Sequence, residues 1–315
     1  MRQIVFFFLF IFFYSKNIHS QNFTNKEIGL ISDNDLYTST YKDRYYTNGT
    51  FIYFRFLAKT SKKPIKRIRE FSLGQKMYTP TPAFSDFPEL QDHPFAGYSF
   101  LKFKTQDFYK KNHAIKYGVE IGTIGPNSKA QEFQEFIHNI YGFEKAVGWT
   151  YQIKNAFALN FDFEYLKPLT KKENSKIDFF SQTNISAGTI QTEITTNLIG
   201  RINLSKKILK PFFNSILFES NLSNNKNDAK EFFLFLKPKI GYAVYNATIQ
   251  GSFLNKTSPV TFRLNPLILE FETGIYYALK RWNFKYSANF YKKKHSEMEN
   301  PYQTYGSILV SYKFN

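Results

Sequence analysis

Apolar and polar residues alternate with a period of two over long stretches of this chain. Leu159, Phe161, Phe163 and Tyr165 are interleaved with Asn160, Asp162 and Glu164. Phe271, Thr273, Ile275, Tyr277 and Leu279 form a second stripe. Phe284, Tyr286, Ala288 and Phe290 form a third, alternating with Lys285, Ser287 and Asn289. The chain ends on a fourth, in which Ile308, Val310, Tyr312 and Phe314 alternate with Ser307, Leu309, Ser311 and Lys313. Successive side chains of a strand point to opposite faces, so each segment has one apolar and one polar wall. A soluble β-sandwich alternates in the same way. Long strands and an aromatic-striped strand at the C-terminus instead fit a wall that meets lipid on one face and a polar lumen on the other. Polar, turn-rich stretches at residues 171–176, 221–230 and 292–300 predict loops. The pattern as a whole predicts an all-β fold: a single closed antiparallel transmembrane β-barrel of about 12 strands, from the length each spanning strand needs.

One segment departs from the period of two. In residues 127–143 (NSKAQEFQEFIHNIYGF), Phe133, Phe136, Ile137 and Ile140 are spaced as one face of a helix. Ser128 and Gln131 read as a capping box, and Gly142 as a C-terminal stop. Gln131, Gln134 and His138 then share the opposite face, within about 60° of one another. A strand ending at Gly125-Pro126 leads straight into this segment, which puts a short helix at the barrel rim. Its apolar face would lie on the wall or in the lipid boundary.

The N-terminus adds a compartment. Arg2, the apolar run at residues 4–14 and His19-Ser20 before Gln21 have the layout of a secretory signal peptide. The expected division is residues 1–20 as signal peptide and 21–315 as one barrel domain, with no composition step to mark another. No later segment has the roughly eighteen apolar residues of a transmembrane helix. The chain carries 37 Phe, 22 Tyr and a net charge of +17. Without Arg2 and Lys16 the charge falls to +15, still basic. Export argues against nucleic acid as partner and points to phosphorylated lipid, or simply to solvated loop lysines. Cysteine is absent, which excludes disulfides, thiolate metal sites and a cysteine nucleophile. No G-x-S-x-G elbow supports an α/β-hydrolase serine.

Two further clusters carry candidate chemistry. His138 can act as a general base near neutral pH, with Gln134 one turn earlier to hold a water or a carbonyl; equally, it can be a surface histidine on a polar helix face. Asp33, Asn34 and Asp35 follow Ser32 where the first strand is expected, and acidic and amide groups are depleted in strands. Their oxygens suit a hard cation such as Ca²⁺, or a polar turn, although the full calcium-loop pattern is missing. In the segment from Asp43 to Gly49, Asp43-Arg44 reads as a local ion pair and Asn48-Gly49 as a tight turn. Thr47 is expected to present its hydroxyl to the lumen.

Three blocks taken together resemble the lipid A 3-O-deacylase family of outer-membrane barrels (LpxR-type). They are SDNDLYTSTYKDRYYTNG at residues 32–49, GQKMYTPTPAFSDFPELQDHPFAGY at 74–98 and IGTIGPNSKAQEFQEFIHNIYGFEKAVGWTYQIKN at 121–155. The resemblance covers about half of the mature chain in blocks. It implies a twelve-stranded bacterial outer-membrane barrel, a monomer, that removes the 3′-linked acyloxyacyl chain of lipid A in lipopolysaccharide by Ca²⁺-dependent ester hydrolysis. By the same resemblance His138 is the catalytic histidine, with Gln134, Asn34, Asp35 and Thr47 as its partners. Asn34, Asp35 and the acidic Glu144 after the helix are then the metal ligands. The family's Lys-Arg pair after the Tyr-x-Pro block has no counterpart here, since residues 81–92 contain neither Lys nor Arg. The competing functions are a non-enzymatic barrel, as channel or adhesin, and an outer-membrane phospholipase acting on glycerophospholipids.

Overall fold

A computed structural model of the protein describes residues 24–38, 44–60, 63–81, 87–110, 112–142, 147–170, 176–206, 208–224 and 230–315. The expected signal segment, Asp43 and Glu144 lie outside these residues. The strands are β1 (Lys26–Asn34), β2 (Tyr45–Ala58), β3 (Pro64–Thr79), β4 (Ala96–Tyr109), β5 (His113–Ile124), β6 (Ala156–Pro168), β7 (Ile177–Gly188), β8 (Gln191–Asn203), β9 (Glu231–Asn246), β10 (Leu267–Leu279), β11 (Trp282–Lys292) and β12 (Tyr302–Phe314). Each pairs antiparallel with its sequence neighbour, and β12 closes on β1 with Tyr312 opposite Ile28. Closure leaves no unpaired edge, the condition a sheet must meet in lipid.

The four stripes face outward as expected. Phe161, Phe271, Tyr286 and Ile308 are exposed, while Asn160, Ser287 and Ser311 between them are buried in the interior. Inside, charge is neutralised across strands. Arg55 bridges Glu27 and Glu70, Lys102 pairs with Glu120 and Asp162, Lys239 with Glu270 and Lys285 with Glu272. Such pairing is what lets charge line a low-dielectric wall. A polar cavity of about 630 Å³ occupies the lumen among these groups and Tyr46, Tyr78 and Tyr305.

The segment between β8 and β9 does more than connect them. Its residues Phe212, Phe218 and Leu222 pack into the lumen against Ile68, Phe108, Ala114, Leu166, Phe180 and Ile199. Lys66 anchors it by donating to the carbonyls of Phe213 (2.9 Å) and Ser220 (2.6 Å) and to Asn214 Oδ1 (2.9 Å). Glu219 reaches Lys104 and Lys116. This inward fold plugs the barrel at the end where β1 starts and β12 finishes. The sequence predicts only a loop at 221–230, because polarity marks the end of this segment and its apolar residues lack a period.

Two local expectations fail. Asn48-Gly49 is not a turn but mid-strand in β2, paired to Asn34 and Asp33. Gly49 is required there by close approach: a Cβ would meet the Tyr46 hydroxyl at 2.0 Å. The first strand ends at Asn34, so Asp35 opens a 3-10 turn, Asp35–Thr38, rather than continuing β1.

Candidate functional site

The helix predicted at the rim is present as α1 (Ala130–Tyr141), shorter than expected at both ends. Gly142 caps it in the left-handed region, φ 73°, with its N–H on the His138 carbonyl. The capping box does not form. Ser128 belongs to a 3-10 turn, Pro126–Ser128, and the N-cap is Lys129 in a left-handed conformation without a side-chain cap bond. The physical reason is contact with the wall. Ser128 is buried over Gly97, where a Cβ would come within 2.2 Å of Ser128 Oγ and 2.4 Å of Ala130 Cβ. Gln75 and Ser99 both donate to the Ser128 carbonyl, each at 2.7 Å. Gly97 and Ser99 share the parity of exposed Leu101 in β4, whereas Lys102 lines the lumen. The helix therefore sits on the outer face of the barrel.

Its orientation reverses the usual amphipathic rule. The residues buried against the wall are Ala130 and polar Gln134, while Phe136 and Ile140 are exposed. Only Phe133 of the apolar set joins the wall, in a cluster of Met77, Phe95, Ala130 and Trp149. Of the two alternatives for the apolar face, packing on the wall holds for Phe133 alone, and Phe136 and Ile140 are left exposed. The Gln134 carbonyl oxygen accepts from Trp149 Nε1 at 2.7 Å. Gln131 turns to Glu135 instead, at 3.0 Å. His138, one turn beyond Gln134, is half-buried.

Asn34, Asp35 and Thr47 cluster at the β1–β2 end of the barrel, and Glu144 lies outside the described residues. Asn34 is paired across β1–β2 with Asn48, next to Thr47. Thr47 is the extra residue of a β-bulge between Tyr46 and Asn48. It is fully buried and donates to the Met77 carbonyl at 3.4 Å, on the side of β3 opposite lumen-lining Lys76 and Tyr78. The expectation that its hydroxyl meets the lumen is overturned, because the bulge shifts the alternation by one residue. Met77 in turn belongs to the cluster under α1. Asp35 is buried and accepts the Arg44 N–H at 3.0 Å, and Asn34 Oδ1 accepts the Leu36 N–H at 2.8 Å. A chain of contacts thus runs from Thr47 through Met77 to Trp149 and Gln134.

Sequence reasoning missed Gly97, Met77 and Trp149. Gly97 had a usable signal, since glycine inside a strand marks a close backbone approach. Trp149, one of only two tryptophans, has an N–H that needs an acceptor when buried.

Above the lumen two loops bring His93 and His295 together, ring centroids 5.3 Å apart. His93 Nδ1 donates to the Pro94 carbonyl at 2.7 Å. Burial holds His93 neutral, its pKa lowered to about 3, and burial lowers that of His295 as well. A histidine with a depressed native pKa stabilises the fold above its ordinary value, about 6.5, and that stability is lost as pH falls toward the native value. Proteolysis of the outer loops in detergent is therefore expected to accelerate between about pH 6 and pH 4. His93→Phe should flatten that dependence; an unchanged slope in this variant refutes the assignment.

Comparison with known proteins places these features in context. The family model described as Outer membrane protein LpxR matches residues 5–314. The solved structure of LpxR from Salmonella typhimurium is similar with a TM-score of 0.75 at 18% identity, covering 91% of this chain and 100% of that one. The β domain of the Bordetella autotransporter BrkA is similar at a TM-score of 0.45 and 8% identity, over 92% of this chain and 98% of that one. The translocator domain of NalP from Neisseria meningitidis has a TM-score of 0.45 at 9% identity, covering 94% and 90%. No curated protein sequence matches the chain.

Proposed function

The chain belongs to the LpxR family of outer membrane proteins, and from that membership and the rim geometry we propose that it is an ester hydrolase releasing the 3′-linked acyloxyacyl chain from lipid A. The observation that carries this reading is the inverted helix: polar Gln134 is pressed to the wall and His138 shares its face, while Phe136 and Ile140 are exposed. A polar stripe at the lipid boundary is costly unless it meets polar groups. An ester held between the helix and the wall has such groups.

His138 takes a proton from water, and the water oxygen attacks the ester carbonyl. The carbonyl carbon–alkoxy oxygen bond then breaks. His138 returns its proton to the departing sugar hydroxyl, and the acyloxyacyl acid is released. Gln134, fixed by Trp149, and Thr47, fixed in the bulge, position water and carbonyl.

Calcium is proposed on donor chemistry alone. Asp35 supplies a carboxylate and Glu144 would supply another, and carboxylate oxygens suit a hard cation. The described residues do not complete a shell: no three acidic or histidine side chains among them converge to hold a metal, and Asn34 Oδ1 serves the Leu36 N–H. No step is therefore routed through the metal. Purified protein in excess chelator is expected to lose turnover. Full turnover there overturns the calcium proposal and leaves the fold and family untouched.

The plug formed by residues 208–224 argues against a diffusion channel. A phospholipase shares the ester chemistry, so substrate decides. Purified protein should release acid from lipid A and leave glycerophospholipid vesicles intact. Release from glycerophospholipid alone would replace the lipid A reading.

A further inference from the structure

Arg44 is held beside Asp35 by three observations. Its backbone N–H donates to Asp35 Oδ2 at 3.0 Å. Its guanidinium lies 6.0 Å from the Tyr45 ring centroid. Tyr45 itself is left-handed, φ 62°, a conformation that a bulky residue rarely adopts. That backbone is over-determined by its surroundings: the Tyr45 hydroxyl donates to Asp92 Oδ2 at 2.5 Å, and the ring packs edge-on against His93 at 5.7 Å. The arrangement fixes Arg44 three residues before Thr47, which leaves the ladder at the β2 bulge.

The guanidinium keeps an unsatisfied donor among the described residues. Arg44 Nη1 is buried and has no hydrogen-bond partner among the described residues. Buried donors are nearly always paired, and one left unpaired is costly. Other interior arginines satisfy the rule: Arg55 bridges Glu27 and Glu70, and Arg201 pairs with Asp178 and Ser215. Arg44, in contrast, has no carboxylate ion pair among the described residues. A planar fork with a buried donor that has no acceptor among the described residues suits a bidentate oxyanion.

We propose that Arg44 is a substrate-recognition residue that binds a phosphate group carried by the glycolipid, which makes phosphorylated lipid A the preferred form of the substrate. The inference rests on the hydrolase reading above. Asp35 orients the residue through its backbone, leaving the side chain for the ligand.

The test uses the full-length protein, lipid A and the same lipid A after enzymatic removal of its phosphates, with KM and kcat measured for wild type, Arg44→Gln and Arg44→Lys. Wild type should show a KM about 10–100-fold lower for the phosphorylated substrate, the range of a charge-assisted hydrogen bond. In Arg44→Gln that ratio should collapse toward one, and Arg44→Lys should restore part of it. Equal losses on both substrates would mark a merely structural role, and a kcat loss with the KM ratio intact would mark an oxyanion contact; either overturns the proposal. Binding of the two lipids to immobilised protein is read in parallel. If wild type hydrolyses neither, the hydrolase reading fails by itself. A phosphate-dependent affinity lost in Arg44→Gln would still sustain the recognition site, and its absence would sink it.

Discussion

His138→Ala is expected to leave an intact, membrane-inserted barrel that no longer deacylates lipid A. His138 is half-buried on the last turns of α1 and belongs to none of the apolar clusters of the barrel. Substitutions at such positions usually change stability by less than about 0.5 kcal/mol. The barrel is held instead by its closed ladder, its lumenal ion pairs and its plug. Heat-modifiable migration on gels should therefore match wild type. Removal of a general base costs about 10²–10⁴ in rate. Near-normal deacylation by folded His138→Ala would leave the mechanism without its base and return His138 to the role of a surface histidine.

Gly97→Val should damage activity almost as severely by a different route. A Cβ at this position would meet Ser128 Oγ at 2.2 Å and Ala130 Cβ at 2.4 Å, so the start of α1 must move away from the wall. The β3–β4 and β4–β5 ladders do not depend on that contact, and the barrel should still assemble. Displacing a catalytic constellation by about 1 Å costs on the order of 10²-fold in rate. Gly97→Ala should lose less than Gly97→Val but still lose activity, because Ser128 Oγ can rotate aside whereas Ala130 Cβ, at 2.4 Å, can move only with the helix backbone. Activity in Gly97→Val within about threefold of wild type would show that helix seating does not control the rate; the threshold is set well inside that 10²-fold expectation.

The barrel was legible in the chain because one physical condition governs nearly all of it. A strand between lipid and a polar lumen must alternate, and β6, β10, β11 and β12 do so over their length. The rim site was legible as residue types but not as an arrangement. Gln134 and His138 stand at helical spacing, yet spacing alone does not say which face of a helix meets protein when the other side is lipid. Solution habits assign Phe136 and Ile140 to the wall; at the membrane boundary they turn outward and the polar side packs inward. Thr47 went to the wrong face because a single bulge residue reverses the alternation after it, and no local sequence signal marked that bulge. The capping box at Ser128 matched its pattern and yielded to a tertiary contact over Gly97. The plug was hidden because its phenylalanines follow neither period, and they are buried by the barrel around them rather than by their own element.

The most direct test of the account is the intact mass of lipid A from cells with and without this protein. Cells that carry the wild-type chain should contain a lipid A species lighter by the whole 3′-linked acyloxyacyl group, and cells that carry His138→Ala should lack it. Identical lipid A masses in all three, with the wild-type barrel shown to be folded in the outer membrane, would contradict it.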